Sequence, residues 1–362
     1  MLLHWGAKHL ENLLPAHLRV RIKEPRVDPH HEMTEPIPYV KGQTGEVVGT
    51  VYTEGITRVS RKKLRHFLSD GEDLDIRYNK RIQRLAFDGP GETVTAYLED
   101  GTQDTGNFVI GCDGSRSKVR EYIAGVDEAR QQDLGITMIN IPSAHYTKEQ
   151  ALKNRDLHPV VKLSFHPELP GTTLLGSPRY RLTRSVGLEV PAQDLREPHA
   201  RLDSYRDHMS KFCEPFRSAA LDGTATGAVQ ASDAEDSANG VSNEIVLPIY
   251  AGQQWSSLTP STWNNQHGRL TLAGDAAHSM LPDRGQGLNN ALADADHIVS
   301  ALKMAVLDET CSLQKAVSAY EDDMRPRGGK EVELSLEQAL RSKNVRSMAE
   351  DAPIFRVGHA RQ

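Results

Sequence analysis

One stretch of the sequence, residues 270–306, constrains the fold more than any other. It begins with a short strand-forming run, Leu270–Ala273, continues through Asp275 and reaches a glycine-rich turn, Gly285–Gly287. Apolar residues then recur at alternating steps of four and three, at Leu288, Leu292, Ala295, Val299, Leu302 and Val306. This spacing places them on one face of a helix, and a short apolar strand before it is typical of a parallel sheet. The stretch therefore predicts an α/β fold.

The same stretch carries residues suited to binding a ligand. Ligands of parallel α/β sheets lie beyond the carboxyl ends of the strands, so we expect Asp275 to accept hydrogen bonds from a polyol or sugar hydroxyl. Gly285 and Gly287 allow the backbone to approach a flat ligand closely, and the helix that they open directs free amide groups towards it. A glycine-rich turn that only caps a core helix is the alternative.

Two upstream segments also place polar residues at the ends of predicted elements. Asn107–Cys112 predicts a short buried strand, and the Asp113-Gly114 turn that follows can organise amide groups and basic side chains around phosphates, or be purely structural. Ser60 is predicted to cap a helix that starts at Arg61. Several cations crowd that helix start and oppose its dipole, which a bound anion would relieve; a solvated basic face is the alternative.

In their order and spacing, these three motifs resemble those of the class A FAD-dependent monooxygenases, the para-hydroxybenzoate-hydroxylase-like family. The resemblance covers most of the chain from about Trp5 to the C-terminal helices. It implies FAD as cofactor, NAD(P)H as co-substrate, O2, and hydroxylation or epoxidation of a small aromatic or polyketide-like molecule. It leaves the catalytic residues unassigned.

The resemblance also implies which residues bind the cofactor. They are Arg61, Asp113, Gly114, Gly274, Asp275, Pro282, Gly285, Gln286, Gly287, Leu288 and Asn289. In the family, the residue at Asp275 binds ribitol, the residue at Pro282 borders the flavin ring, and the turn that ends at Asn289 faces its pyrimidine edge. The segment that follows Asp113 lies near the flavin pyrophosphate and the path of NAD(P)H.

One motif of that family has no counterpart in this sequence, namely G-x-G-x-x-G between a strand and a helix. The G-x-G pairs are Gly89/Gly91 and Gly285/Gly287, and neither continues to a third glycine. Because that unit binds the ADP half of FAD and supplies a central strand, we expect neighbouring strands to lack partners. The sequence thus suggests a truncated product of a longer monooxygenase. Two other hypotheses stay open: a flavin-dependent reductase or dehydrogenase of the same superfamily, and a non-catalytic remnant that binds no FAD.

The predicted architecture is an α/β FAD/NAD(P)-binding, Rossmann-like lobe, truncated at its N-terminus, with an inserted β-sheet-rich substrate domain. The lobe comprises residues 1–25, 56–125 and 264–345, the substrate domain residues 26–55 and 126–263, and a C-terminal tail residues 346–362.

Composition narrows the possible partners. The net charge of −6 gives no basic surplus for nucleic acid or for an anionic membrane. The three cysteines are widely spaced, and His30–Glu35 lacks the second histidine of an H-E-x-x-H motif, so no metal site is predicted. We find neither a signal peptide nor an apolar run long enough to span a membrane, which predicts a soluble cytoplasmic protein.

Overall fold

The computed structural model describes residues 1–32, 36–51, 55–89, 93–141, 146–176, 184–187, 197–224, 247 and 249–343. Its helices are α1 Gly6–Leu13, α2 Ala16–Arg19, α3 Arg61–Leu68, α4 Val119–Ala124, α5 Lys148–Lys153, α6 Pro198–Ser210, α7 Phe216–Gly223, α8 Asp275–His278, α9 Gly287–Leu307 and α10 Leu313–Lys343. Its strands are β1 Leu2–Leu3, β2 Ile37–Lys41, β3 Val47–Val51, β4 Thr57–Arg58, β5 Ile82–Phe87, β6 Val94–Leu98, β7 Gln103–Gly106, β8 Val109–Gly111, β9 Gln132–Ile141, β10 Val161–His166, β11 Leu169–Gly176, β12 Arg184–Gly187, β13 Ile249–Gln254 and β14 Leu270–Leu272. The α/β fold class predicted from the sequence is confirmed.

The chain divides into two compact units. The first comprises Met1–Arg26, Val59–Gln132 and Gln253–Leu336, and the second Val27–Arg58, Asp133–Gly252 and Glu337–Gln362. The assignment of one lobe to FAD and of the other to the substrate stays a prediction. The predicted C-terminal tail, residues 346–362, lies outside the described residues.

In the first unit, β8 and β14 form a parallel pair. Leu270 is opposite Val109 and Leu272 is opposite Gly111, and both leucines are fully buried. A Cβ at Gly111 would lie only 2.7 Å from the Leu272 side chain, so the close approach depends on this glycine. Within the described part of the chain, these two strands form a sheet by themselves. The carboxyl ends of β8 and β14 consequently lie side by side.

Two apolar clusters support this pair and the helix that follows it. In one cluster α4 and α10 pack against β8 and β14, and Tyr320 Oη donates a hydrogen bond to Leu272 O at 2.8 Å. In the other, Leu10 of α1, Leu64 of α3 and Leu292 of α9 pack together. As predicted, Ser60 caps α3, because its Oγ accepts a hydrogen bond from the Lys63 amide at 3.4 Å. The first turns of α3 and α9 therefore belong to one core.

The described part of the second unit contains two sheets. The larger has the order β11-β10-β2-β3, in which β10 pairs in parallel with β2 and antiparallel with β11, and the smaller has the order β12-β9-β13. Every residue of β10 is buried. Helices α6 and α7 contribute Tyr205, Met209 and Phe216 to a core with Val40 and Ile139. The β-rich character predicted for this segment is present.

Candidate active site

The residue after the buried strand β14 is a glycine in a conformation that other residues rarely adopt. Gly274 has φ 62° and ψ −142°, and Asp275 follows as the first residue of α8. Asp275 is exposed, and no other described residue makes a hydrogen bond or ion pair with its carboxylate. A Cβ at Gly287 would lie 3.8 Å from Asp275 Oδ1. The free carboxylate thus lies beside the first residue of α9.

The turn before α9 brings backbone amides to the same place. Pro282–Arg284 forms a single 3-10 turn, and Gly285 adopts a left-handed conformation with φ 66° and ψ 25°. Because the first amides of a helix have no intrahelical acceptor, the start of α9 offers donors and a partial positive charge. Pro282 is exposed, whereas Leu288 is half-buried against the α1–α3 cluster. The region therefore offers both an acceptor and donors to a polar ligand.

Two of the predicted cofactor residues direct their side chains elsewhere. Asn289 is fully buried, and its Oδ1 accepts hydrogen bonds from the amides of His4 at 3.1 Å and Gly6 at 3.2 Å. Gln286 Oε1 accepts a hydrogen bond from Trp5 Nε1 at 2.9 Å. These side chains fasten the N-terminal segment to the start of α9, so a ligand there would meet the backbone at these positions.

The Asp113-Gly114 turn lies at the same sheet edge as Asp275, because β8 is beside β14. Asp113 Oδ2 accepts hydrogen bonds from the amides of Lys118 at 2.7 Å and Val119 at 3.2 Å, and its Oδ1 accepts one from the Ser117 hydroxyl at 2.5 Å. Gly114 has φ 80°. The carboxylate thus shapes the loop and holds the start of α4.

Arg120, on α4, is buried without a carboxylate in contact among the described residues. Its Nε donates to Ala129 O at 2.9 Å, its Nη1 to Ala276 O at 3.1 Å, and its Nη2 to Ser115 O at 2.5 Å. Its guanidinium carbon lies 4.5 Å from the Trp255 ring centroid. Burial lowers the pKa of Arg120 to about 10. This cation therefore joins the Asp113-Gly114 loop to α8.

A cavity of about 260 Å³ adjoins Arg120. Its lining includes Arg116, Arg120 and Arg130 together with Glu121, whose carboxylate is paired with Lys118 at 3.1 Å. Arg130 is itself paired with Asp127 at 3.2 Å. The guanidinium groups of Arg116 and Arg120, which contact no carboxylate among the described residues, make this cavity suited to an anion.

Arg61 stands apart from the other predicted residues. It is the first residue of α3 and is exposed, and within the described ranges no hydrogen bond or ion pair links its guanidinium to another residue. Its helix shares an apolar cluster with α9 through Leu64, Leu288 and Leu292. The packing brings the two helices together without joining Arg61 to Asp275.

Sequence reasoning missed the residue that holds the Gly274 turn. Asp294 of α9 is fully buried; its Oδ2 accepts hydrogen bonds from Gly274 N and His278 Nε2, both at 2.7 Å, and its Oδ1 accepts one from Arg327 Nη2 at 2.8 Å. Burial alone raises the pKa of this carboxyl, but pairing with His278 and Arg327 brings it below the ordinary value. The available signal was an acid within the otherwise apolar run Ala291–Ala295.

A family model described as an FAD binding domain matches residues 54–335. The chain belongs to the class A FAD-dependent monooxygenase family. It is accordingly an oxidoreductase with FAD as its cofactor, and NAD(P)H as co-substrate is typical of the family.

Two fungal proteins illustrate the relationship. The FAD-dependent monooxygenase phnB of Penicillium herquei is 29% identical over 377 aligned residues, which cover 99% of this chain and 84% of phnB. The FAD-dependent monooxygenase cctM of Talaromyces islandicus is 28% identical over 363, covering 98% of this chain and 85% of cctM.

Solved structures share the fold. HpxO of Klebsiella pneumoniae, in complex with FAD and uric acid, has a TM-score of 0.67 at 19% identity, and the match covers 95% of this chain and 79% of the HpxO chain. 2,6-Dihydroxypyridine-3-hydroxylase of Arthrobacter nicotinovorans also has a TM-score of 0.67 at 19% identity, covering 94% and 84%. The predicted FAD-binding fold is confirmed.

None of the helices in the described ranges combines the length and apolar character needed to cross a bilayer. Among the same residues, no three His, Cys, Asp or Glu side chains converge as metal ligands would. Of the His30–Glu35 segment, residues 33–35 lie outside the described residues.

Proposed function

We propose that this chain uses NAD(P)H and O2 to hydroxylate or epoxidise a small aromatic or polyketide-like molecule. The observation that carries the proposal is the exposed carboxylate of Asp275, which no other described residue binds, beside the first residue of α9. FAD, when bound, supplies the redox chemistry that takes electrons from the nicotinamide and activates oxygen. The role of the protein is to hold the flavin, orient the substrate and exclude water.

The residues at the start of α9 fit a flavin. A flavin carries a polyol chain, from whose hydroxyls the Asp275 carboxylate would accept hydrogen bonds. It also carries a ring with electron-rich oxygen atoms, to which the amides of Gly287 and Leu288 at the start of α9 would donate. Pro282, exposed at the turn, would border the ring. Gln286 and Asn289 would contribute through backbone and by holding the turn, since their side chains bind the N-terminal segment.

The Asp113-Gly114 loop supports the use of NAD(P)H. The cavity next to it is lined by Arg116, Arg120 and Arg130, and guanidinium groups are the preferred partners of phosphates. The Asp113 carboxylate holds the loop by capping α4, which keeps Arg120 within reach of that cavity. Arg61, exposed and unpaired among described residues, is a further cation for an FAD phosphate.

The β-rich second unit is the proposed substrate domain. Its two sheets and the apolar core of α6 and α7 supply a rigid support on which side chains can hold an organic substrate. O2 and the reductant are small or transiently bound partners, and the proposal requires no nucleic acid or membrane.

The test is turnover by the purified chain supplied with excess FAD, NADH or NADPH, isotope-labelled O2 and a panel of phenolic and polyketide-like compounds. We expect NAD(P)H oxidation and one labelled oxygen atom in the product. Turnover without label would indicate a flavin-dependent reductase or dehydrogenase. Folded protein that binds no FAD would indicate a non-catalytic remnant, as the absent G-x-G-x-x-G motif suggests.

Asp275→Ala provides the site-specific arm of this test, with Asp322→Ala as the matched control. Asp322 is an exposed carboxylate of the same unit, on α10. Removing Asp275 is expected to weaken FAD binding by about tenfold or more, in line with one charged hydrogen bond lost. The control should bind FAD as the unmodified chain does.

A further inference from the structure

Asp294 connects three separate elements through one carboxylate. The donors are the Gly274 amide in the turn after β14, His278 at the end of α8, and Arg327 in the middle of α10. All three contacts are between 2.7 and 2.8 Å, and the Asp294 side chain is inaccessible to solvent. A buried carboxylate that accepts hydrogen bonds from three separate donors has little freedom to move.

The first of these contacts acts on the backbone that presents Asp275. Gly274 holds a conformation open almost only to glycine, and its N–H points to Asp294. On the other side, Arg120 Nη1 binds Ala276 O at 3.1 Å. Asp275 lies between these two anchors, and its own carboxylate makes no contact with another described residue. The direction in which Asp275 points is therefore set by its backbone.

The partners of Asp294 are themselves held by neighbouring residues. Arg327 also binds Asp323, Nε to Oδ2 at 3.1 Å, and the amide oxygen of Asn290, Nη1 to Oδ1 at 3.0 Å. Gly328 gives the ring of His278 room, because a Cβ there would lie 2.5 Å from His278 Cδ2. The contacts of Arg327 and the packing of Gly328 against His278 hold the Asp294 carboxylate against α10 as well as against the Gly274 turn.

We propose that Asp294 is a positioning residue of the cofactor site: by binding the Gly274 amide, it holds the Asp275 carboxylate in the orientation that receives a ligand hydroxyl. This inference rests on the proposed function and extends it to a residue that never touches the ligand. Asp294 acts on FAD only through Asp275.

The substitution Asp294→Asn tests this role with little change of shape. The amide nitrogen of asparagine donates and cannot accept, so it must face either Arg327 or the Gly274 and His278 donors. In both orientations a donor meets a donor, and the negative charge is lost. The matched control is Asp296→Asn, two residues along α9, where a nearly buried carboxylate binds His9 and Asn12 instead.

The experiment is an FAD titration, followed by flavin fluorescence, of the full chain, Asp294→Asn, Asp275→Ala and the double variant. We expect Asp294→Asn to weaken FAD binding by about tenfold in the unmodified chain and by less than about twofold in the Asp275→Ala background. Asp296→Asn should stay within about twofold of the unmodified chain. An equal loss in both backgrounds, as a general structural defect would give, overturns the proposal, and so does an unchanged affinity of Asp294→Asn.

Amide hydrogen exchange of the ligand-free chain adds an arm that needs no flavin. Exchange in residues 274–278 should be faster in Asp294→Asn than in Asp296→Asn, and equal rates overturn the proposal. If the unmodified chain bound no FAD, the proposed function would fail while exchange still decided whether Asp294 holds the turn.

Where Asp294→Asn is not recovered in folded form, Arg327→Gln takes its place in the same titrations. It removes one donor from the carboxylate and its balancing charge. A smaller loss of FAD affinity that disappears in the Asp275→Ala background is expected. The same loss in both backgrounds, or none in either, contradicts the proposal.

Discussion

Two buried charges, one from each unit, are held in different ways. Around Gly274 in the first unit, the carboxylate of Asp294 is paired with both His278 and Arg327. In the second unit, Lys162 of β10 is fully buried, and its Nζ donates to the carbonyl oxygens of Asn154 and His158. Within the described residues no carboxylate contacts Lys162.

The two charges differ in their effect on the protein: Asp294 holds the candidate site in place, whereas Lys162 has no ionic partner among the described residues and is buried at a cost to stability. A balanced buried pair is costly to break, since removing one member leaves the other uncompensated. A buried cation held by neutral carbonyls opposes folding while it is charged, and desolvation lowers the pKa of Lys162 to about 7. The first arrangement keeps the Gly274 turn in place, whereas the second makes stability depend on pH.

The largest expected effect comes from breaking the balanced network, by which we mean Asp294 with its partners His278 and Arg327. Asp294→Ala leaves His278 and Arg327 without their buried partner and should lower the free energy of unfolding by about 3–5 kcal/mol. Asp296→Ala removes a nearly buried carboxylate of the same helix, which binds His9 and Asn12, and should cost less, about 1–2 kcal/mol. Chemical denaturation of both variants measures these values. Similar losses for the two would remove the distinction drawn for the first unit.

The second effect concerns the buried lysine. Because the folded-state pKa is depressed, the unfolded chain binds more protons between about pH 7 and the ordinary lysine value of 10.5, so stability rises with pH in that window. From pH 7 to pH 9 the gain is about 1.4 kcal/mol per unit at most. Denaturation of Lys162→Met should lack this rise, and Lys148→Met, at an exposed position, should retain it. A rise that persists in Lys162→Met contradicts the assignment.

A third substitution tests the packing of the balanced network. Gly328→Ala places a Cβ 2.5 Å from the His278 ring, in a region without free space, and should cost about 1–3 kcal/mol. In Gly329→Ala the Cβ would lie 2.5 Å from Cδ1 and 2.6 Å from Cγ of Leu258 and 3.1 Å from Ser256 Oγ, and the Leu258 side chain is 49% exposed and can move. This variant also gains helix propensity, so its stability should be unchanged or higher. Thermal or chemical unfolding of the two neighbours decides the point.

The smallest effect is expected in the second unit, at the start of α5. Thr147 forms a capping box with Gln150, and α5 has no buried residues, so the cap supplies much of its order. Thr147→Ala should remove about 1 kcal/mol locally and speed amide exchange in residues 148–153. Exchange in β10 of the same variant should be unchanged. Faster exchange throughout the unit would show that α5 unfolds together with the sheet.

The sequence predicts best what is continuous along the chain. The order of strand, glycine turn and helix from Leu270 to Leu307 and the Ser60 cap follow from local spacing, and the structure has them. The side chain of Asn289 shows the limit. Its partners lie 283 and 285 residues away, at Gly6 and His4. No local pattern predicts such contacts.

The same limit explains why Asp294 and Lys162 were missed. Asp294 meets Arg327 across 33 residues, and that pairing depends on how α9 packs against α10. Lys162 lies in a strand whose residues are all buried, while a lysine in a strand pattern ordinarily indicates a solvent-facing position. Both follow from tertiary packing, which decides where a charge is buried.

We propose that the Asp275 carboxylate, which makes no contact with another described residue, binds FAD beside the start of α9. The most direct measurement is the amount of FAD retained per folded chain after equilibration with excess FAD, for the unmodified protein and for Asp275→Ala. We predict about one FAD per chain for the unmodified protein and a marked loss of bound flavin for Asp275→Ala at the same FAD concentration. A folded chain that retains no FAD, or retains it equally in both proteins, would contradict the account.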